Sequence, residues 1–109
     1  MARTPYVVYF DETRSFDQLA KKYADHPPCL VAEVRSPNDR TAKLIRRIET
    51  FLQRGTRVAW LVDPEERTIT VYRANQFPQV VEEDEELTGG EELPDFRCRA
   101  ADFFRMPGE

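Results

Sequence analysis

The sequence predicts an α/β (α+β) domain in which a mixed sheet carries one main helix on its face. Three observations carry that expectation. Within residues 36–55, Thr41, Leu44, Ile45, Ile48, Phe51 and Leu52 fall on one stripe about 120° wide at the 3.6-residue period, and such a stripe has to cover a sheet. The run RVAWLV at 57–62 is almost continuously apolar, as a central strand covered on both faces requires. The segments follow in the order strand, long connection, strand, helix, strand, strand, with an irregular β-rich end.

Each element has its own signal. YVVYF at 6–10 is β-branched and aromatic and reads as a strand. In the polar connection that follows, Phe16, Leu19, Ala20 and Tyr23 repeat at helical spacing behind Ser15, a suitable cap. CLVAEV at 29–34 is the second strand. For the main helix, Ser36 is the expected cap, Pro37 the first helical residue, Asp39 the residue three beyond the cap, and Gly55 the stop. DPEERT then turns the chain into ITVYR at 69–73, a hairpin. FPQVVEE reads as a further strand, and LPDFRCRAADFF is expected to lay Phe96, Phe103 and Phe104 on the core.

At 109 residues, 1–109 forms a single domain with a modest core, and 40% hydrophobic with 33% charged residues is the composition of a folded protein. The longest apolar run is far short of the ~20 residues of a membrane-spanning helix, and the first ten residues lack a signal-peptide pattern, so a cytoplasmic protein without membrane contact is expected. Cys29 and Cys98 have neither zinc-site nor redox-motif spacing. The net charge of -4 conceals a segregation. Residues 35–57 hold seven bases against two acids, a local balance of +5, whereas 82–92 hold seven acids and no base. A local anion site is therefore compatible with an acidic chain.

The charged residues of the second strand raise the functional question. Alternation places Val31, Glu33 and Arg35 on one face, with Glu33 and Arg35 leaving the backbone about 7 Å apart. A carboxylate and a cation at that spacing can share a phosphate or a metal-bound water, and a solvated salt bridge has the same sequence. On the helix, Arg40, Arg47 and Arg54 recur every seven residues along one flank. They read either as a phosphate-binding ridge or as arginines snorkelling at the edge of the buried stripe. Because the helix follows the strand directly, its first turns should bring Arg40 and Arg47 toward Glu33.

The stretches PPCLVAEVRSPNDR, the helix ending FLQRG, and TRVAWLVDPEERTITVYR resemble the Uma-two family of putative restriction endonucleases, part of the PD-(D/E)XK nuclease superfamily. LTGGEELPDFRCRAADFF resembles the end of the same domain, so the likeness runs from Thr4 through nearly the whole chain. The specific elements are E-V-x-S-P, G-x-R-x-x-W-x-V-D-P and T-x-x-V-Y-R.

The resemblance implies a restriction-endonuclease-like fold and magnesium-dependent hydrolysis of DNA phosphodiesters. It makes Glu33 the second acid and a metal ligand, sets Arg47 where the family has its lysine, and sets Arg35 at the lysine of the superfamily's E-x-K. Glu33, Arg35 and Arg47 are thus the expected catalytic group, and Arg40, Lys43 and Arg47 the expected nucleic-acid contacts. Two departures follow from the same alignment. Tyr6 stands where the first acid belongs, and arginine in place of lysine keeps the charge but loses the titratable ammonium. Asp11, Glu12 and His26 are the nearest substitutes for a lost ligand. Family members carry a long N-terminal half before the strand with which this chain opens. A partial domain is therefore expected, completed by a second copy or a partner chain. Three readings remain at this point: a magnesium nuclease, a degenerate nucleic-acid-binding or interaction module without hydrolysis, and an unrelated interaction domain.

Overall fold

The computed structural model describes residues 7–10 and 27–104. Strands β1 (Val7–Phe10), β2 (Leu30–Val34), β3 (Val58–Asp63), β4 (Thr68–Tyr72) and β5 (Gln79–Glu82) form one sheet in that order. β1, β2 and β3 run parallel, and β3, β4 and β5 are antiparallel, so the sheet is mixed as expected. Helix α1 (Thr41–Gln53) makes the crossover from β2 to β3. A second sheet, β6 (Glu86–Gly89) with β7 (Leu93–Arg99), and a 3-10 turn at Ala100–Phe104 complete the described fold.

The alternating side chains of β2 and β3 build two apolar layers. Val31, Ala59 and Leu61 face Leu44, Ile48 and Phe51 of α1. Leu30, Ala32, Val58, Trp60 and Val62 face the other way, onto Ile69, Val81, Leu87, Ala100 and Phe104. β3 is buried from Val58 through Val62, which accounts for its unbroken apolar sequence. Of the helical stripe, Leu44, Ile48 and Phe51 are buried, Ile45 and Leu52 half-buried, and Thr41 exposed.

The helix begins later than its sequence suggests. Ser36 N–H donates to Asp39 Oδ2 at 2.9 Å and Asp39 N–H donates to the Ser36 carbonyl at 3.0 Å, closing a turn around Pro37 and Asn38. Arg40 is then extended (φ -85°, ψ 124°) and occupies the N-cap position without a side-chain capping bond. Ser36, Pro37 and Asp39 therefore spend their capping chemistry on this turn and not on the helix. The C-terminal end is as expected. Gly55 adopts φ +111°, its N–H donates to the Leu52 carbonyl at 3.2 Å, and Thr56 N–H donates to the Phe51 carbonyl at 3.0 Å. This is the Schellman closure for which glycine is suited.

In the β3–β4 hairpin, Asp63 Oδ1 accepts from Glu65 N–H at 3.1 Å and Glu66 N–H at 3.2 Å, while Arg67 takes the left-handed position at φ 55°. The β6–β7 pairing was not legible in the sequence, because Pro94, Asp95, Arg97 and Arg99 hide the alternation of a half-exposed strand. Phe104 is buried and Phe96 stacks obliquely on Trp60 with 5.5 Å between ring centroids. Phe103 stays 37% exposed while meeting the Trp60 ring edge-on at 6.2 Å, so it covers the core from outside. Both cysteines are free. Among the described residues no helix is long and apolar enough to cross a membrane. The helix expected near 15–23, together with Tyr6, Asp11, Glu12 and His26, lies outside the described residues.

Candidate functional site

Parallel strands followed by a crossover helix place the last residues of β2 beside the first turns of α1, and the charged residues of the sequence meet there. Glu33 points to the helix side of the sheet and is only 2% exposed. Its Oε1 accepts from Arg47 Nη1 at 2.9 Å. Its Oε2 is buried with no hydrogen-bond partner. Burial therefore dominates the carboxyl and pushes its pKa up to about 7, opposed by the hydrogen bond and charge of Arg47, with Asp39 raising it further and Lys43 lowering it. Arg47 keeps 24% of its side chain exposed, so the pair reaches from the core to the surface.

Arg35 lies near this pair by position, one residue past β2, but its guanidinium is held elsewhere. Nη1 donates to Glu65 Oε2 at 2.9 Å and lies 3.7 Å from Asp63 Oδ1, both on the β3–β4 turn. Its backbone N–H donates to the Val62 carbonyl at 2.8 Å, which continues the β2–β3 ladder past the strand end. The structure thus brings Glu33 together with Arg47 and not with Arg35. Arg40 and Lys43 are exposed at the start of α1, and among the described residues Arg40 makes no ion pair with Glu33. Asp39, which sequence reasoning assigned only to helix capping, accepts from Ser36 N–H and adds a negative charge that raises the Glu33 carboxyl further.

This arrangement can be set beside known proteins. The Uma2 family model, described as a putative restriction endonuclease, matches residues 2–101. The chain belongs to the Uma2 family. The crystal structure of a putative nuclease belonging to DUF820, from Anabaena variabilis, is similar to this Uma2 chain at a TM-score of 0.66 and 31% sequence identity. The match covers 71% of this chain and 44% of the Anabaena protein, so the chain spans less than half the length of that relative. No curated protein matches.

Within the Uma2 chain, the register partner of Glu33 in the β1–β2 ladder is Phe10. A magnesium ion is held by one or two carboxylates together with substrate phosphates and water. Glu33 offers one carboxylate, and one of its oxygens already accepts from Arg47. Among the described residues no group of three His, Cys, Asp or Glu lies close enough to hold a metal ion. The described residues therefore do not by themselves build the two-acid magnesium centre that the family resemblance implies.

Proposed function

We propose that this Uma2 chain binds cytoplasmic nucleic acid at the nuclease end of the fold, through Arg40, Lys43 and Arg47, without cleaving it. The observation that carries the reading is the Arg47 guanidinium on the buried Glu33 carboxylate at 2.9 Å. An arginine does not act as the base that activates water, and Glu33 offers a single carboxylate with one oxygen already held by Arg47, so the pair lacks the two-acid arrangement that the family's hydrolysis implies. Together with the exposed bases on the first turns of α1 they still present positive charge to a phosphate backbone. Salt-titrated fluorescence anisotropy with a DNA duplex tests this. Affinity should fall steeply with salt, need no divalent ion, and drop in Arg40→Ala and Lys43→Ala. Nicking of plasmid DNA that depends on magnesium or manganese and is lost in Glu33→Gln would overturn it.

That second outcome has its own support, because Glu33 Oε2 is buried and without a partner and so keeps a lone pair for a cation. In this reading a further acid completes a magnesium site from outside the described residues. A second copy or partner chain is the source in this reading; the exposed sheet edge at β5, with Val80 at 52% exposure beside Phe77 at 97%, offers a surface for association three strands away from Glu33. Sedimentation of the purified chain checks it: self-association supports completion by a copy, and a monomer at all concentrations removes that route.

A further inference from the structure

The opposite end of the sheet carries a second group of charged residues that the nuclease-like end does not use. A cavity of about 510 Å³ opens between the start of β3, the end of β4 and the β6–β7 turn. Counted along β3, it begins five residues before Leu61, the register partner of Glu33, which is about 16 Å away at strand spacing. Thr56, Arg57, Arg73, Gly90, Glu91 and Glu92 line it.

Three features make this cavity more than a surface fold. Thr56 is only 3% exposed, and its hydroxyl is buried without any hydrogen-bond partner, an arrangement that costs stability unless something uses the group. Arg73 is fixed in place by an ion pair with Glu92, whose side chain is itself 8% exposed. Gly90 stands beside that guanidinium: its φ is +62°, and a Cβ there would lie 2.6 Å from the Arg73 guanidinium. The turn is thus cut back where the guanidinium crosses it. Arg57, finally, is exposed and makes no ion pair among the described residues.

We propose that this cavity is a phosphate site, in which Arg57 and the outer edge of the Arg73 guanidinium hold an oxyanion and the Thr56 hydroxyl donates to it. Glu92 serves to orient Arg73, and the guanidinium N–H groups that Glu92 does not take are the donors that arginine uses to recognise phosphate. Glu91 at the rim is the acid that opposes the anion. The site is independent of the Glu33–Arg47 pair, so its fate is separate from that of the proposed function.

The test is a titration of the full chain with inorganic phosphate, followed by amide chemical shifts and calorimetry. Saturable shifts are expected at Thr56, Arg57, Arg73 and Gly90, with those of Glu33 and Arg47 unmoved. Arg57→Gln, at an exposed position that does not threaten folding, should weaken phosphate at least tenfold. Thr56→Val should weaken it several-fold while the fold is kept or made more stable, and Glu91→Gln should tighten it. Shifts centred on Arg40 and Arg47 instead, or an Arg57→Gln affinity equal to that of the wild type, would overturn the site. A duplex arm separates the sources: strand phosphate in the cavity makes duplex binding sensitive to Arg57→Gln, whereas a free phosphate or mononucleotide leaves duplex binding indifferent to it.

Discussion

Glu33 on β2 and Arg47 on α1, fourteen residues apart, meet at 2.9 Å with the carboxylate sealed inside the fold and the guanidinium at its surface. Removing the cation strands a buried carboxyl, whereas removing both partners does not. Breaking a fully buried pair costs about 3–5 kcal/mol, and the partial exposure of Arg47 lowers the expectation for Arg47→Met to about 2–3 kcal/mol. Urea unfolding should show most of that loss recovered in the Glu33→Gln/Arg47→Met double variant. An equal or greater loss in the double variant would mean that the pair stabilises the fold in its own right.

The same carboxyl sets a pH dependence. Its pKa rises from 4.5 to about 7 on folding, chiefly through burial, so the folded chain holds the proton more tightly than the unfolded one. The resulting stabilisation is present in full below pH 4.5 and is lost as the pH climbs to about 7. Its size is about 3 kcal/mol by linkage. Other carboxylates act over the same range, so the measurement is the difference between wild type and Glu33→Gln in urea midpoint at pH 4.5 and pH 7.5. The wild type should lose stability relative to the variant as pH rises; parallel curves would refute the shift.

On the β3–β4 turn, Asp63 ties down two backbone amides and stands 3.7 Å from Arg35, while Glu65 holds that guanidinium directly. Asp63→Ala is expected to cost about 1–2 kcal/mol from the lost turn bonds. Glu65 is an exposed partner, so Glu65→Gln should leave stability within about 1 kcal/mol. If the proposed function holds, the released Arg35 then raises DNA affinity a few-fold at low salt. Anisotropy that shows no gain would confine Arg35 to the turn.

Trp60 is the only tryptophan of the chain and is packed against Phe96 and Phe103. Its emission therefore reports on the tail. Phe104→Ala empties a buried site and should cost about 3–4 kcal/mol in thermal or urea unfolding. Phe103→Ala should cost about 1 kcal/mol and shift Trp60 emission to the red, because its ring is the outer cover of the indole. Unchanged emission in Phe103→Ala would show that Trp60 is shielded without it.

The parts of the fold that sequence made legible are those in which one local rule operates alone. The apolar stripe of α1, the unbroken run of β3 and the Gly55 stop each answer to a single constraint, and each is found where expected. Ser36, Pro37 and Asp39 answer to two, because the same residues that start a helix also close a turn, and the turn wins here. At the site, alternation along β2 put Glu33 on the face that α1 covers, where it meets Arg47. It carried no information on the β3–β4 turn, whose Asp63 and Glu65, 28 and 30 residues further along the chain, claim Arg35. Arg47 was reached through helix phase, which sequence does encode, and its contact with Glu33 is the expectation that the geometry meets most directly.

The parallel junction of β1 with β2 has a kinetic meaning. Val7 pairs with Leu30, 23 residues further on, whereas the β3–β4 ladder closes across a short turn from Asp63 to Thr68. Local hairpins close in microseconds, and parallel pairings across long connections wait for the rest of the chain to collapse. The amides of β3, enclosed by neighbours on both sides, should therefore be the slowest to exchange with deuterium. Those of β1, at the rim of the sheet among the described residues, should open first and reclose last, making the strand paired with β2 alongside Glu33 the least persistent part of its surroundings.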